Sequence, residues 1–334
     1  MIVYNLFPRL VGPFHRWIQW LDHIQAMGFT WIYVNPFHLP GHSGSLYAVK
    51  DYYLYHPMFS VGHDDFRFVP QQREAGDHGL KAFLEAAHGR GIRVAMDLVA
   101  NHTATDSNLV RLHPEWYRWR GRRIVHPGAR EGRRRVVWGD LARFDHRNRP
   151  ETRAQKEYML EVVRHYLRMG FDGFRCDAAY QVPSHTWRKL IRGARAVRKD
   201  VTFLGETLGC SLKETLRIRR AGFDYVFNNF KWWNLQDPGF LHGHNQIAAE
   251  AASISFPETH DTNRLAAELG GNRAACLQRY VLAAFFSAGV MMPLGFEFGA
   301  YRKPDVLRSR PEDLEPARFH LRDDIAHVHR IKRS

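Results

Sequence analysis

Cysteine is scarce, with three residues in 334, and Cys176, Cys210 and Cys276 form neither a CxxC pair nor the dense framework of a small disulfide-stapled domain. They read as buried thiols of a reducing compartment. No run of the sequence approaches the roughly eighteen apolar residues that a spanning helix needs. The opening Met1-Ile-Val-Tyr-Asn-Leu-Phe7 has no basic segment followed by an apolar stretch and a small-residue cleavage site. Together these absences predict a cytoplasmic protein with no membrane partner. Acidic residues are the minority sign: 34 Asp and Glu against 48 Lys and Arg give a formal net charge of +14. A basic surplus can signal a polyanionic partner. However, the densest basic stretch, Arg118 to Arg135, is broken by Gly121, Pro127, Gly128 and Gly132 and carries no nucleic-acid-binding motif. It reads as a solvated loop, and no nucleic-acid partner is expected.

Hydrophobic residues at 45% and charged residues at 25% are ordinary for a globular chain of a length that supports a sizeable core. Short β-branched or aromatic runs alternate with longer amphipathic stretches, the pattern of repeated βα units around a parallel sheet. Eight runs fit: Ile2–Phe7, Trp31–Asn35, Arg93–Asp97, Gly173–Asp177, Thr202–Glu206, Tyr225–Asn228, Ser253–Phe256 and Gly289–Leu294. Between them, Gly79–Arg90, Glu151–Met169, Thr186–Arg198 and Asn272–Phe286 carry apolar residues at helical spacing. The predicted fold is α/β, a (β/α)8 barrel forming one domain over 1–334. After Asp97 the next clear helix waits until about Pro150, and so long a connection in a compact domain is usually functional.

Four of the predicted strands end in a carboxylate: Asp97-Leu-Val-Ala-Asn101-His102, Gly173-Phe-Arg175-Cys-Asp177, Phe203-Leu-Gly-Glu206 and Glu258-Thr-His260-Asp261. One aspartate at a strand end is usually a helix cap or loop ligand. Four together are costly unless they line a common solvated pocket. This set resembles the four signature regions of the α-amylase superfamily, glycoside hydrolase family 13, and the resemblance spans nearly the whole chain. It implies that residues 101–150 form a short version of the excursion called domain B. The β-sandwich that usually follows the family's barrel is not expected, since little sequence remains beyond the helical stretch Leu321–Arg333.

By this resemblance the chain is a retaining hydrolase or transglycosylase acting on α-1,4-glucans through a covalent glycosyl-enzyme. That reaction needs two carboxyl groups roughly 5 to 5.5 Å apart, one to attack the anomeric carbon and one to protonate the departing oxygen. Asp177 matches the nucleophile, Glu206 the general acid and base, and Asp261 the transition-state stabiliser. Arg175, two positions before Asp177 and so on the same face of the strand, is suited to hold that carboxylate ionised and aimed. His102 and His260 match histidines that bind sugar hydroxyls, and Tyr47 in Gly44-Ser-Leu-Tyr47-Ala matches a tyrosine stacking on the ring being cleaved. Trp232 and Trp233 are further sugar platforms or else pack the barrel rim. Asn101 matches a calcium-binding position, with Asp140 in Trp138-Gly-Asp140 as a second ligand, or it ties the excursion to the barrel by a structural hydrogen bond.

One departure stands out. Typical α-amylases carry Lys-His three and four residues after the nucleophile, where this chain has Tyr180-Gln181. An aromatic there favours stacking of an incoming sugar and leans the reading toward transfer, with Tyr180 on the acceptor side. The segment Gly295-Phe-Glu297-Phe-Gly299-Ala-Tyr-Arg302-Lys-Pro-Asp305 resembles the family's eighth-strand end, and in detail its maltosyltransferase-type members. The alternatives are therefore a maltosyltransferase using a sugar phosphate, or a catalytically silent carbohydrate-binding relative, although all three carboxylates are present.

Overall fold

The protein is described by a computed structural model that covers residues 1–60, 62, 71–131 and 134–334. Eight strands, β1 (Ile2–Leu6), β2 (Trp31–Val34), β3 (Arg93–Leu98), β4 (Gly173–Cys176), β5 (Thr202–Gly205), β6 (Tyr225–Phe227), β7 (Ala252–Ser255) and β8 (Gly289–Pro293), close into a barrel. Each pairs in parallel with the next in sequence, and β8 pairs with β1. Strands covered on both faces have no solvent side to alternate toward, which is why Ile-Val-Tyr-Asn-Leu of β1 is buried at every position. The eight predicted strands correspond to these eight, to within a residue or two at their ends.

Two apolar layers hold the barrel. Inside it, Val3, Trp31, Tyr33, Ala95, Leu204, Phe227, Ile254, Phe256 and Met291 pack together. Outside it, the opposite faces of the strands meet helices α1 (Gln71–His88), α2 (Pro150–Met169), α3 (Ser184–Val197), α4 (Leu212–Arg219), α5 (Pro238–Glu250), α6 (Arg273–Phe286) and α7 (Arg322–Arg333). The stripe that α2 buries, Met159, Leu160, Val162, Val163, Tyr166 and Leu167, repeats at helical spacing. Gly193 lets α3 close on α2: a Cβ there would lie 2.5 Å from Leu160 Cδ1. Among the described residues no helix is long and apolar enough to cross a membrane.

The connection from β3 to α2 is more structured than its sequence suggests. It holds a ladder of His102–Ala104 against Leu141–Arg143, a hairpin of Trp119–Arg120 with Arg123–Ile124, and a second ladder of Gly128–Glu131 with Arg134–Val137. Strands of two to four residues are too short to display an alternation, so the sequence reads them as loop. Residues 132 and 133, within the basic stretch, lie outside the described residues. The excursion is tied down at its root, where the Tyr52 hydroxyl donates to the carbonyls of Val99 (2.7 Å) and His102 (3.1 Å).

Candidate active site

Parallel register sets the site. Arg175 stands opposite Asp97, Cys176 opposite Gly205, and the Glu206 N–H then reaches the Cys176 carbonyl, so Asp177 and Glu206 leave their strands at one level. Arg175 is 3% exposed. Its Nη1 donates to both Asp97 oxygens and to Asp177 Oδ1, each at 3.0 Å, while Nη2 lies 3.2 Å from Glu206 Oε2. One planar fork thus links three carboxylates from three adjacent strands. A charge as deeply buried as Asp97 needs such a partner.

Ala178 follows Asp177 in the left-handed region, at φ 41° and ψ 45°. A residue with a Cβ adopts that conformation at a cost of order 1 kcal/mol. The Ala178 N–H donates to Glu206 Oε2 at 2.6 Å. Burial raises the pKa of Asp177 well above the usual carboxylate range, Glu206 beside it adds to the rise, and Arg175 opposes it. Burial likewise raises Glu206, against Arg175 and the Ala178 N–H, with Asp261 and Asp97 adding to the rise. Two carboxylates so close cannot both ionise freely, and the pair titrates as a unit that retains a proton above the ordinary range.

Asp261 behaves oppositely. Its side chain is 56% exposed, with His260 Nε2 3.0 Å from Oδ2. Desolvation by its neighbours pushes its pKa up, but His260, Arg175 and Lys303 outweigh that and hold it down to about 2. The site therefore combines an Asp261 held in its charged form with a pair whose carboxyls are pushed toward keeping a proton.

The other candidates converge unevenly. The Tyr47 hydroxyl donates to Asp97 Oδ2 (2.8 Å) and lies 2.8 Å from His260 Nε2, while its ring stacks along the imidazole at 9°. His102 is 2% exposed, its Nε2 3.2 Å from the Tyr47 carbonyl, and burial lowers its pKa to about 4. This contact ties its ring to the Tyr47 main chain. Tyr180 is half-buried near the pair, and Glu206 and Asp177 add to the burial that raises its phenol to about 12. Trp232 is exposed, whereas Trp233 stacks on Phe240 at 5.1 Å in a rim cluster with Phe286.

Asn101 and Asp140 do not meet. In the ladder His102 pairs with Arg143 and Ala104 with Leu141; the Phe144 N–H donates to the Asn101 carbonyl, and the Thr105 N–H to that of Asp140. The two residues stand at opposite ends, four strand residues or about 13 Å apart along the ladder. One calcium ion bound through 2.3–2.6 Å contacts does not fit between them. Among the described residues no group of three or more His, Cys, Asp or Glu side chains could hold a metal. Instead Asn101 Nδ2 donates to Gln181 Oε1 (3.2 Å), and Gln181 Nε2 donates to the Gly128 carbonyl (3.2 Å) in the excursion.

Three contributors escaped the sequence reading. Tyr33 donates to Asp97 Oδ2 at 2.6 Å, and Asn35 Nδ2 donates to the hydroxyls of Tyr47 (3.0 Å) and Tyr33 (3.1 Å). The period-two face that Trp31 and Tyr33 share inside the barrel was a usable signal for Tyr33. For Ala178 there was none, since alanine does not advertise a left-handed turn.

Residues 1–118 match the family described as glycogen debranching enzyme, glucanotransferase domain. The α-1,4-glucan:maltose-1-phosphate maltosyltransferase of Burkholderia pseudomallei is 25% identical over 340 residues, covering 98% of this chain and 28% of its own length. The α-amylase MalA of Haloarcula japonica is 25% identical over 344 residues, covering 92% of this chain and 45% of its own. Among solved structures, an α-amylase from Lactobacillus plantarum superposes with a TM-score of 0.82 at 21% identity, over 100% of this chain and 80% of that one. A debranching enzyme from Nostoc punctiforme gives 0.73 at 20% identity, over 99% and 80%. The barrel fold is the one these solved α-amylase and debranching-enzyme structures share. This chain spans between about a quarter and a half of the length of these two curated relatives. In this chain Asp97, Asp177 and Glu206 stand at the C-terminal ends of their strands, where the (β/α)8 architecture generally arranges its chemistry.

Proposed function

We propose that the protein is a retaining glycosidase or glucanotransferase of α-1,4-glucans. The observation that carries this reading is the single guanidinium of Arg175 joining Asp97, Asp177 and Glu206, with Asp261 held ionised across the cleft. In this scheme Asp177 attacks the anomeric carbon, the glycosidic C–O bond breaks, and its electron pair stays on the departing oxygen, which takes the proton of Glu206. A water or a sugar hydroxyl then gives its proton to Glu206 as it attacks the same carbon and releases Asp177. Ionised Asp261 grips the sugar hydroxyls as positive charge develops on the ring. Tyr47 offers an aromatic face, and Arg175 keeps Asp177 aimed. The relatives that include maltosyltransferases, amylases and debranching enzymes support the substrate class. Three free thiols support a reducing compartment, and we place the protein in the cytoplasm.

The test is the configuration of the first product. Proton NMR during cleavage of maltoheptaose should record the α-anomer first, and initial β-anomer would overturn the two-step scheme. Product analysis with and without excess maltose then separates water from sugar as the acceptor.

A further inference from the structure

Between the opening turns of α2 and α3 lies a cavity of about 410 Å³ lined by Asn148, Arg153, Lys156, His185 and Lys189. None of these residues belongs to the carboxylate cluster, and none is acidic. Lys156 is 5% exposed, yet among the described residues its ammonium makes no ion pair; it donates to the Arg147 carbonyl at 3.4 Å. The nearby carboxylates are already engaged. Asp145 is gripped by Arg147 at 2.8 and 2.9 Å and approached by Arg149, and Glu157 pairs with Lys189. Behind the cavity, His146 is 5% exposed with neither ring nitrogen hydrogen-bonded. Asp145 attracts the Lys156 ammonium, but burial and Lys189 outweigh it, and a buried cation so weakly compensated is retained most readily where a ligand supplies more negative charge.

We propose that this cavity is a binding site for a small phosphate-bearing anion, separate from the active site. Lys156 supplies a point charge, Lys189 a second that it shares with Glu157, and Arg153 a planar fork that matches phosphate oxygens. The opening turns of helices of 20 and 14 residues add N-terminal dipoles of the favourable sign. No Phe, Tyr or Trp lines the cavity, so a neutral glucan finds no broad apolar face to stack on there. The volume exceeds what a bare phosphate needs and leaves room for a monosaccharide ester. An occupant would also act at a distance. His185 Nε2 lies 3.0 Å from the His146 carbonyl, so an anion bound here fastens the start of α3, which directly follows the Asp177 segment, to the foot of the excursion.

The experiment titrates the full chain with inorganic phosphate, glucose 1-phosphate and glucose at fixed ionic strength, reading calorimetric binding and Tm. Both phosphates should bind and raise Tm, and glucose should do neither. Equal affinity of the two phosphates assigns the site to the phosphate group alone, whereas tighter binding of the ester assigns part of it to the sugar. Lys156→Met and Lys189→Gln should each weaken binding tenfold or more, while Asp177→Asn leaves it unchanged. Lys189 lies on a partly exposed helix face, so its variant remains informative if Lys156→Met does not fold. In phosphate-free buffer Lys189→Gln should cleave neutral maltooligosaccharides at the wild-type rate. Absence of binding over matched chloride, or affinity unmoved by both lysine variants, overturns the proposal.

Discussion

At the scale of single residues, Arg175 determines what the others can do. Because it contacts Asp97, Asp177 and Glu206 at once, each carboxylate feels both its attraction and the repulsion of its neighbours. Asp177→Asn keeps the shape and removes the nucleophile, and turnover should fall by several orders of magnitude with circular dichroism unchanged. Activity above about a tenth of wild type would remove Asp177 from that role, since loss of a covalent route costs many kcal/mol of barrier. Glu206→Gln should fail on natural glucans yet partly retain cleavage of glycosyl fluorides, whose leaving group needs little protonation. Equal loss on both substrates would point to another acid. Tyr180 borders this pair, and its ring is suited to seat an incoming sugar and keep water out. Wild type should therefore make chains both longer and shorter than its starting oligosaccharide, and Tyr180→Lys should shift the balance toward hydrolysis. Only shorter products from wild type, even at high substrate concentration, would leave a plain hydrolase.

At the scale of elements, an amide bridges the excursion to the barrel, beside the ion pair of Lys50 with Asp106 at 2.9 Å. Gln181 reaches Asn101 at the end of β3 and Gly128 in the second ladder, bridging the root of the excursion to its body. Gln181→Ala leaves the buried Asn101 amide without that acceptor, a loss of about 1–3 kcal/mol. Thermal unfolding should record a lower Tm, with KM for oligosaccharides raised more than kcat is lowered as the cleft wall loosens. Because Asn101 and Asp140 sit at opposite ends of their ladder, dialysis against a chelator should leave both Tm and activity unchanged. A drop of several degrees that added calcium restores would mean that oxygen ligands other than this pair hold an ion.

Across the whole molecule, buried histidines set the acid limit of stability. Burial lowers the pKa of His38, His56 and His146 to about 3, and of His102 and His329 to about 4. An unfolded histidine titrates near 6.5, so below that pH the unfolded chain binds more protons than the folded one, and stability falls as pH falls. The loss begins near 6.5 and continues until the folded values are passed. Asp261 has the same sign at lower pH, being stabilising above its unfolded value and losing that contribution toward about 2. Tm should therefore decline steadily from pH 7 to pH 4, and unfolding at pH 5 should take up close to one proton per such histidine. A Tm flat over that range would contradict the burial of these rings.

The amino-acid sequence by itself determined the barrel and the carboxylates at its rim, because strand and helix periods are local and a charge at the end of an apolar run is visible without coordinates. Asp97, Asp177 and Glu206 could be placed on adjacent strands for that reason. What only the tertiary structure decided was pairing across the chain. The fork of Arg175 depends on the register of β3, β4 and β5, the contact of the Ala178 N–H with Glu206 depends on how the ends of β4 and β5 lie side by side, and the separation of Asn101 from Asp140 depends on a ladder of three residues. Each is a relation between residues distant in sequence, fixed by hydrogen-bond geometry and close packing rather than by the identity of any one side chain.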